Sequence, residues 1–226
     1  MTKLFIKFGQ KNHLLEMQKE GLLYCNTITF FTNIEGDNNR HDRDESVFET
    51  EYFENTLLQF RLSNDLIGDE CEWKDLNAKT IRVKKWFEKP LGNLFCMSAF
   101  NISPELRSTE FKFHENFLSF GQFGLVIMNQ EIFLNRLIGK LKEMGNEDIK
   151  TGYGFVNYID LKNYSGKKNL FQKDKKFAWQ EEFRIFFNTN KCENNDSLKI
   201  SIGNMEDISE IIDLAKTKSL FYKSSD

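Results

Sequence analysis

Phe177-Ala178-Trp179-Gln180-Glu181-Glu182-Phe183-Arg184-Ile185-Phe186-Phe187 is too aromatic and β-branched for a surface helix, and its second half reads as a buried strand. A strand repeats every two residues. Gln180, Glu182, Arg184 and Phe186 therefore share one face, and Glu181, Phe183, Ile185 and Phe187 share the other. Three polar side chains on one face of so apolar a strand require partners. A buried, unpaired carboxylate is strongly destabilising or takes up a proton, so Glu182 is paired, wet or functional. In the plainer reading Arg184 meets an acidic neighbour and Glu182 lies at a wet sheet edge. In the sharper one Gln180-x-Glu182 is a catalytic pair at the mouth of a cleft.

Just upstream, residues 162–176 hold Lys162, Lys167, Lys168, Lys173, Lys175 and Lys176 with Tyr164 and Phe171 between them. This is either a solvated loop or a grip on phosphate, of a nucleotide or of a nucleic-acid strand, with Lys167, Lys168 and Lys173 as its candidates. Further out, 155–159 reads as a strand, and 130–144 as an amphipathic helix with Ile132, Phe133, Leu137, Ile138 and Leu141 at helical spacing. A glycine-bearing turn over 120–124 leads into an apolar strand over 125–128. The buried strand over 94–100 presents one hydroxyl, Ser98, and 101–116 has no assignable pattern. The chain opens with a strand over 4–8, a helix over 13–20 capped by Gly21, and strands over 22–25 and 27–32. The polar stretch 35–45 reads as a loop whose Arg, His and Asp content also suits a lid over an anionic ligand. Strands over 56–62 and 80–87 flank an acidic linker over 64–77. After the opening stretch come a strand over 198–202, a turn at Gly203 and a closing helix over 205–216. Many short strands and about three helices without βαβ alternation make this an α+β chain, read as one domain over 1–226.

Composition narrows the classes. The 226 residues support one good core, and 40% hydrophobic with 29% charged residues is the balance of a globular protein. The net charge of −3 supplies no general attraction to nucleic acid, so any such contact needs a local basic patch. Cys25, Cys71, Cys96 and Cys192 are widely spaced, which indicates neither a zinc site nor a disulfide framework. No run approaches the roughly 18 apolar residues of a membrane span, so a reducing cytoplasm is the expected setting. His13, His41 and His114 sit in unrelated contexts, and no metal site is expected. No P-loop, nucleophile elbow or dinucleotide glycine pattern is present.

Lys7-Phe8-Gly9-Gln10-Lys11-Asn12-His13-Leu14-Leu15-Glu16-Met17-Gln18-Lys19-Glu20-Gly21-Leu22 resembles the opening of ADP-ribosyltransferases, with Lys7 where that family usually has His or Arg. Ser98 falls where its middle strand presents Ser or Tyr, and Gln180-x-Glu182 looks like its terminal Gln/Glu-x-Glu element. The chain thus looks like a diverged member of the R-S-E or H-Y-E type. A second resemblance, to an uncharacterised bacterial family found near phage-defence and toxin–antitoxin genes, spans most of 90–216. It rests on Ser98, Phe120-Gly121, Val156-Asn157-Tyr158-Ile159-Asp160, Phe171-Gln172-Lys173, Trp179 to Arg184 and Ile202-Gly203. These resemblances imply a split antiparallel sheet that clamps NAD between its halves. Glu182 would be the catalytic carboxylate and Gln180 would orient the acceptor. Lys7 would contact the nucleotide, Ser98 would support Glu182, and Tyr24 or Phe120 would stack on nicotinamide. They further imply an intracellular toxin or defence effector with a neutralising protein partner. Its acceptor would be protein, RNA or DNA. Hydrolysis of NAD, or a non-catalytic nucleotide- or RNA-binding module, are the alternatives.

Overall fold

The computed structural model describes residues 2–33, 39, 41–60, 74–87, 92–102, 109–144, 149–189, 196–217 and 219–222. In chain order the strands are β1 (Thr2–Gly9), β2 (Leu22–Thr27), β3 (Val47–Phe60), β4 (Lys74–Trp86), β5 (Asn93–Ile102), β6 (Thr109–Lys112), β7 (Phe123–Ile127), β8 (Ile149–Phe155), β9 (Asn157–Ile159), β10 (Gly166–Lys167), β11 (Gln172–Asp174), β12 (Glu182–Thr189), β13 (Leu198–Ser201), β14 (Ser209–Asp213) and β15 (Ser219–Tyr222). The helices are α1 (Lys11–Glu20), α2 (Ile28–Asn33) and α3 (Gln130–Glu143), with 3-10 turns at Glu115–Ser119 and Lys175–Gln180. The architecture is α+β, as the sequence predicts. Among the described residues no helix is long and apolar enough to cross a membrane. The linker over 64–77 lies outside the described residues for 64–73, as do Cys71, Cys192 and positions 35–38 and 40 of the polar loop.

The principal sheet is antiparallel and runs β8-β12-β5-β1-β7-β14, with β2 and β13 attached at β5. Its centre is β5. Along one edge β5 pairs with β12, from Glu182↔Ser98 to Phe187↔Asn93. Along the other edge it pairs first with β2, at Asn26↔Leu94 and Thr27↔Asn93, and then with β1, from Ile6↔Ser98 to Thr2↔Ile102. The sheet therefore forks on that edge between Leu94 and Ser98. The Cys96 carbonyl points into the fork, and Lys7 Nζ donates to it at 2.6 Å in place of a strand partner.

The two faces of the sheet differ. One buries Phe5, Phe95, Met97, Ala99, Phe183, Ile185 and Phe187 beneath α1 and α3. The other buries Leu4, Ile6, Phe8, Phe100, Phe117 and Val126 on the β1–β7 half. On the β5–β12 half of that second face the alternation places Cys96, Ser98, Glu182 and Arg184 instead.

Residues 74–77 of the expected linker belong to β4, the strand expected over 155–159 is split between β8 and β9, and two further stretches change type. Residues 28–33 form α2, because the Thr27 hydroxyl accepts the Phe30 N–H at 3.2 Å and so starts a helix against the β-propensity of Ile28 and Thr29. Residues 209–213 form β14 rather than a helix, because the free edge of β7 offers them pairing from Ser209↔Ile127 to Asp213↔Phe123. An apolar pair such as Ile211-Ile212 fits either period, so tertiary pairing decides.

Gly21 closes α1 at φ 62°, and a Cβ there would stand 2.1 Å from the Gly203 carbonyl oxygen. Gly21→Ala is expected to lose at least the order of 1–3 kcal/mol that a left-handed non-glycine residue costs. A urea midpoint equal to that of the unmodified protein would contradict the close approach.

Candidate functional site

The site is built where β12 begins. Asp174 caps the turn Lys175–Gln180 by accepting the Lys176 N–H at 2.9 Å, and Glu181 then turns the corner at φ 42°. Gln180 consequently ends a 3-10 turn and does not share a strand face with Glu182, contrary to the period-two expectation. The two are joined all the same. Lys173 Nζ donates to Gln180 Oε1 at 2.8 Å and to Glu182 Oε2 at 3.2 Å, and it lies 4.7 Å from the centre of the Phe177 ring. The Glu182 N–H donates to the Tyr158 hydroxyl at 2.9 Å, and Ser98 is the cross-strand partner of Glu182.

Arg184, 1% exposed, links this pair to the loop 41–46. Its Nε donates to Glu182 Oε1 at 2.9 Å, and its Nη1 and Nη2 donate to Glu45 Oε1 and Oε2 at 2.5 and 3.0 Å. Lys168 Nζ donates to the Asp44 carbonyl at 2.7 Å, and Gln180 Nε2 donates to the Asn39 carbonyl at 2.8 Å. The buried side chains Arg184, Lys173 and Lys168 thus face Glu182, Glu45 and Asp42. Asp42 Oδ1 accepts the Asp44 N–H at 3.0 Å, whereas Oδ2 has no hydrogen-bond partner among the described residues.

Burial alone would raise every carboxyl here. For Glu182 and Glu45 the charges of Arg184 and Lys173 reverse that and hold both below the usual carboxylate range. For Asp42, burial and the neighbouring Glu45 win, and its pKa rises. Burial also pushes the Cys96 thiol up, and Cys25 to about 12. The arrangement holds an ionised, rigidly oriented carboxylate across the strand pair from Ser98, with both oxygens engaged by Arg184 and Lys173. Such a group can hold a sugar hydroxyl or stabilise developing positive charge.

The remaining candidates are placed as follows. Lys7 leaves β1 on the same face as Phe5, which stacks on Phe183 at 4.6 Å, so Lys7 and Glu182 lie on opposite faces of the sheet. Its ammonium sits 4.8 Å from the Phe95 ring centre and closes the fork. Tyr24 stands exposed on β2 with Lys199 over its ring. Phe120 packs on Trp179 at 5.6 Å, one residue from Gln180. The lysines expected to grip phosphate do not form an exposed patch. Of the three candidates only Lys167 is exposed, while Lys168 and Lys173 are each 5% exposed and face inward to the buried acids. Sequence reasoning missed Asp42 and Glu45, which sit in a stretch that reads as solvated. The usable signal was Arg184 itself, whose need for an acidic neighbour was already evident.

A groove of about 440 Å³, lined by Lys3, Phe5, Leu134, Ile138 and Tyr153 among others, lies on the α3 face and not at Glu182. Among the described residues no group of three or more His, Cys, Asp or Glu is placed to hold a metal ion.

Two outcomes follow from the ion pairing. Glu182 and Glu45 have folded-state pKa values below their unfolded ones. Their stabilisation is therefore complete above the unfolded glutamate value of roughly 4.3 and is lost as pH falls through the folded values. Asp42 has the opposite sign, its penalty easing as pH falls. Urea unfolding between pH 7 and 3 should show a steep loss below about pH 4 that is shallower in Glu182→Gln. Identical profiles for the two proteins would refute the pairing. Lys173→Met should cost about 3–5 kcal/mol, because it strips a buried carboxylate of one cation. An unchanged urea midpoint would place Lys173 outside the network.

No family model, no curated protein and no solved structure matches this chain.

Proposed function

We propose that the chain is an NAD-dependent ADP-ribosyltransferase with a split-sheet core, in which Glu182 is the catalytic carboxylate. One observation carries the reading. The strands bearing the three sequence elements, β1, β5 and β12, are neighbours, and Ser98 stands directly opposite Glu182 beside the fork. An ionised Glu182 with Ser98 as its cross-strand partner and the Tyr158 hydroxyl on its backbone N–H would suit a ribose. As the bond between ribose C1′ and nicotinamide nitrogen breaks, nicotinamide leaves with the bonding pair and positive charge grows on the sugar. Glu182 stabilises that charge, and the acceptor then forms its bond to C1′ and gives up a proton. Gln180, held by Lys173, orients the acceptor. Lys7 serves from the other face by holding the fork. In this reading the protein is an effector whose activity a protein partner restrains. The acceptor is protein or nucleic acid, or water in a glycohydrolase.

A second reading is favoured by the saturation of the same carboxylate. Both oxygens of Glu182 are engaged by Arg184 and Lys173, and the residue is 7% exposed. On that account the cluster is an internal staple of a non-catalytic binding module. Nicotinamide release from NAD separates the two. The transferase reading expects release by the purified protein and a fall of about 100-fold or more in Glu182→Gln. Ser98→Ala, which leaves every ion pair intact, should also be slowed. A folded protein that releases no nicotinamide with protein, RNA and DNA acceptors supplied, or a Glu182→Gln variant as fast as its parent, sinks the transferase.

A further inference from the structure

We propose that Arg184, Lys173 and Lys168 form a cradle for a phosphate or diphosphate group, held shut in this structure by the carboxylate of Glu45. Arg184 and Lys173 converge on that one side chain, and Lys168 Nζ donates to the carbonyl of the neighbouring Asp44. Arg184 grips both Glu45 oxygens, Lys173 Nζ stands 4.0 Å from Oε2, and Lys168 adds its charge. A planar guanidinium fork with two ammonium groups is the donor set that binds phosphoryl oxygens. The anion filling it comes from a connecting strap, residues 42–46, and not from the sheet. Val47 opens β3 only after that strap.

The strap is seated at a cost. Asp42 is 1% exposed, lies beside Glu45, and buries Oδ2 without a partner among the described residues. Lifting the strap returns that oxygen to water. The Arg184 Nη1 and Nη2 donors released from Glu45 then face an incoming phosphoryl group, while Arg184 Nε and Lys173 stay on Glu182. Glu45 is thus an internal stand-in for the ligand's anion, and closure is autoinhibitory. Identification of the natural ligand with the diphosphate of NAD rests on the transferase reading, whereas the cradle does not.

Inorganic pyrophosphate is the probe. Calorimetry should show Glu45→Gln binding it about tenfold or more tightly than the parent, since the competing internal anion is gone. Adding Arg184→Gln should abolish the gain. Equal affinity in parent and Glu45→Gln overturns the proposal. Should these variants fail to fold, hydrogen exchange on the unmodified protein decides. The amides of Glu45 and Val47, which donate to the Asp42 and Asp44 carbonyls, should exchange faster with pyrophosphate than with chloride at the same ionic strength. Equal exchange overturns the cradle. Strap opening by pyrophosphate in a protein that releases no nicotinamide upholds the cradle and removes the transferase. Nicotinamide release with unaltered strap exchange does the reverse.

Discussion

A guanidinium buried to 1% exposure on a sheet of phenylalanines is the constraint from which the rest of the site follows. Arg184 carries five donors that cannot be deprotonated, so every direction in which it points must hold an acceptor. Glu182, Glu45 and the Leu170 carbonyl supply them. Those carboxylates are then two negative charges in one small volume, and Lys173 is drawn in between them. The chain that carries Lys173 and Lys168 must fold over the sheet to deliver them, which is why two lysines of an otherwise exposed basic segment are buried. Such a cluster adds little net stability over well-packed apolar groups, because desolvation offsets much of its attraction. What it adds is specificity of place. Shifting β12 by one residue would turn Arg184 and Glu182 toward Phe95 and Met97, a cost no apolar gain recovers.

The same alternation separates two residues that the resemblance to ADP-ribosyltransferases had set at one ligand. Lys7 and Glu182 lie on neighbouring parts of one sheet, yet the pleat sends them to opposite faces. Lys7 satisfies a carbonyl at a fork, where strand pairing fails and a buried acceptor would otherwise stand empty. A cation there is explained by backbone geometry before any ligand is invoked. The chemistry open to the site is therefore one-sided and belongs to Glu182, Ser98, Tyr158 and the cations around them.

Much of the frame was legible. The strands at 4–8, 94–100 and 125–128 are apolar runs buried almost throughout, the strand at 198–202 alternates, and the helix at 130–144 buries Phe133 and Leu137. The failures share a cause, which is that local preference was overruled by something distant or small. Thr27 redirected a β-branched run through one hydroxyl, and the edge of β7 captured 209–213. The pairing need of Arg184 was readable, because a buried cation must be answered. Its answer in Asp42 and Glu45 was not, because a loop acid destined for the core has the same composition as one left in water. Burial of Lys168 and Lys173 was hidden for the same reason.

Glu45 and Arg184 are 139 residues apart. During synthesis the strap therefore leaves the ribosome long before its guanidinium exists, by on the order of ten seconds at ordinary elongation rates. Over that interval Asp42 and Glu45 are held in water, and β5 lacks β12 along a whole edge. The N-terminal half of the protein is in this sense an unfinished surface. Its completion, and with it the assembly of every charged group in the site, is deferred until the last third of the chain has emerged.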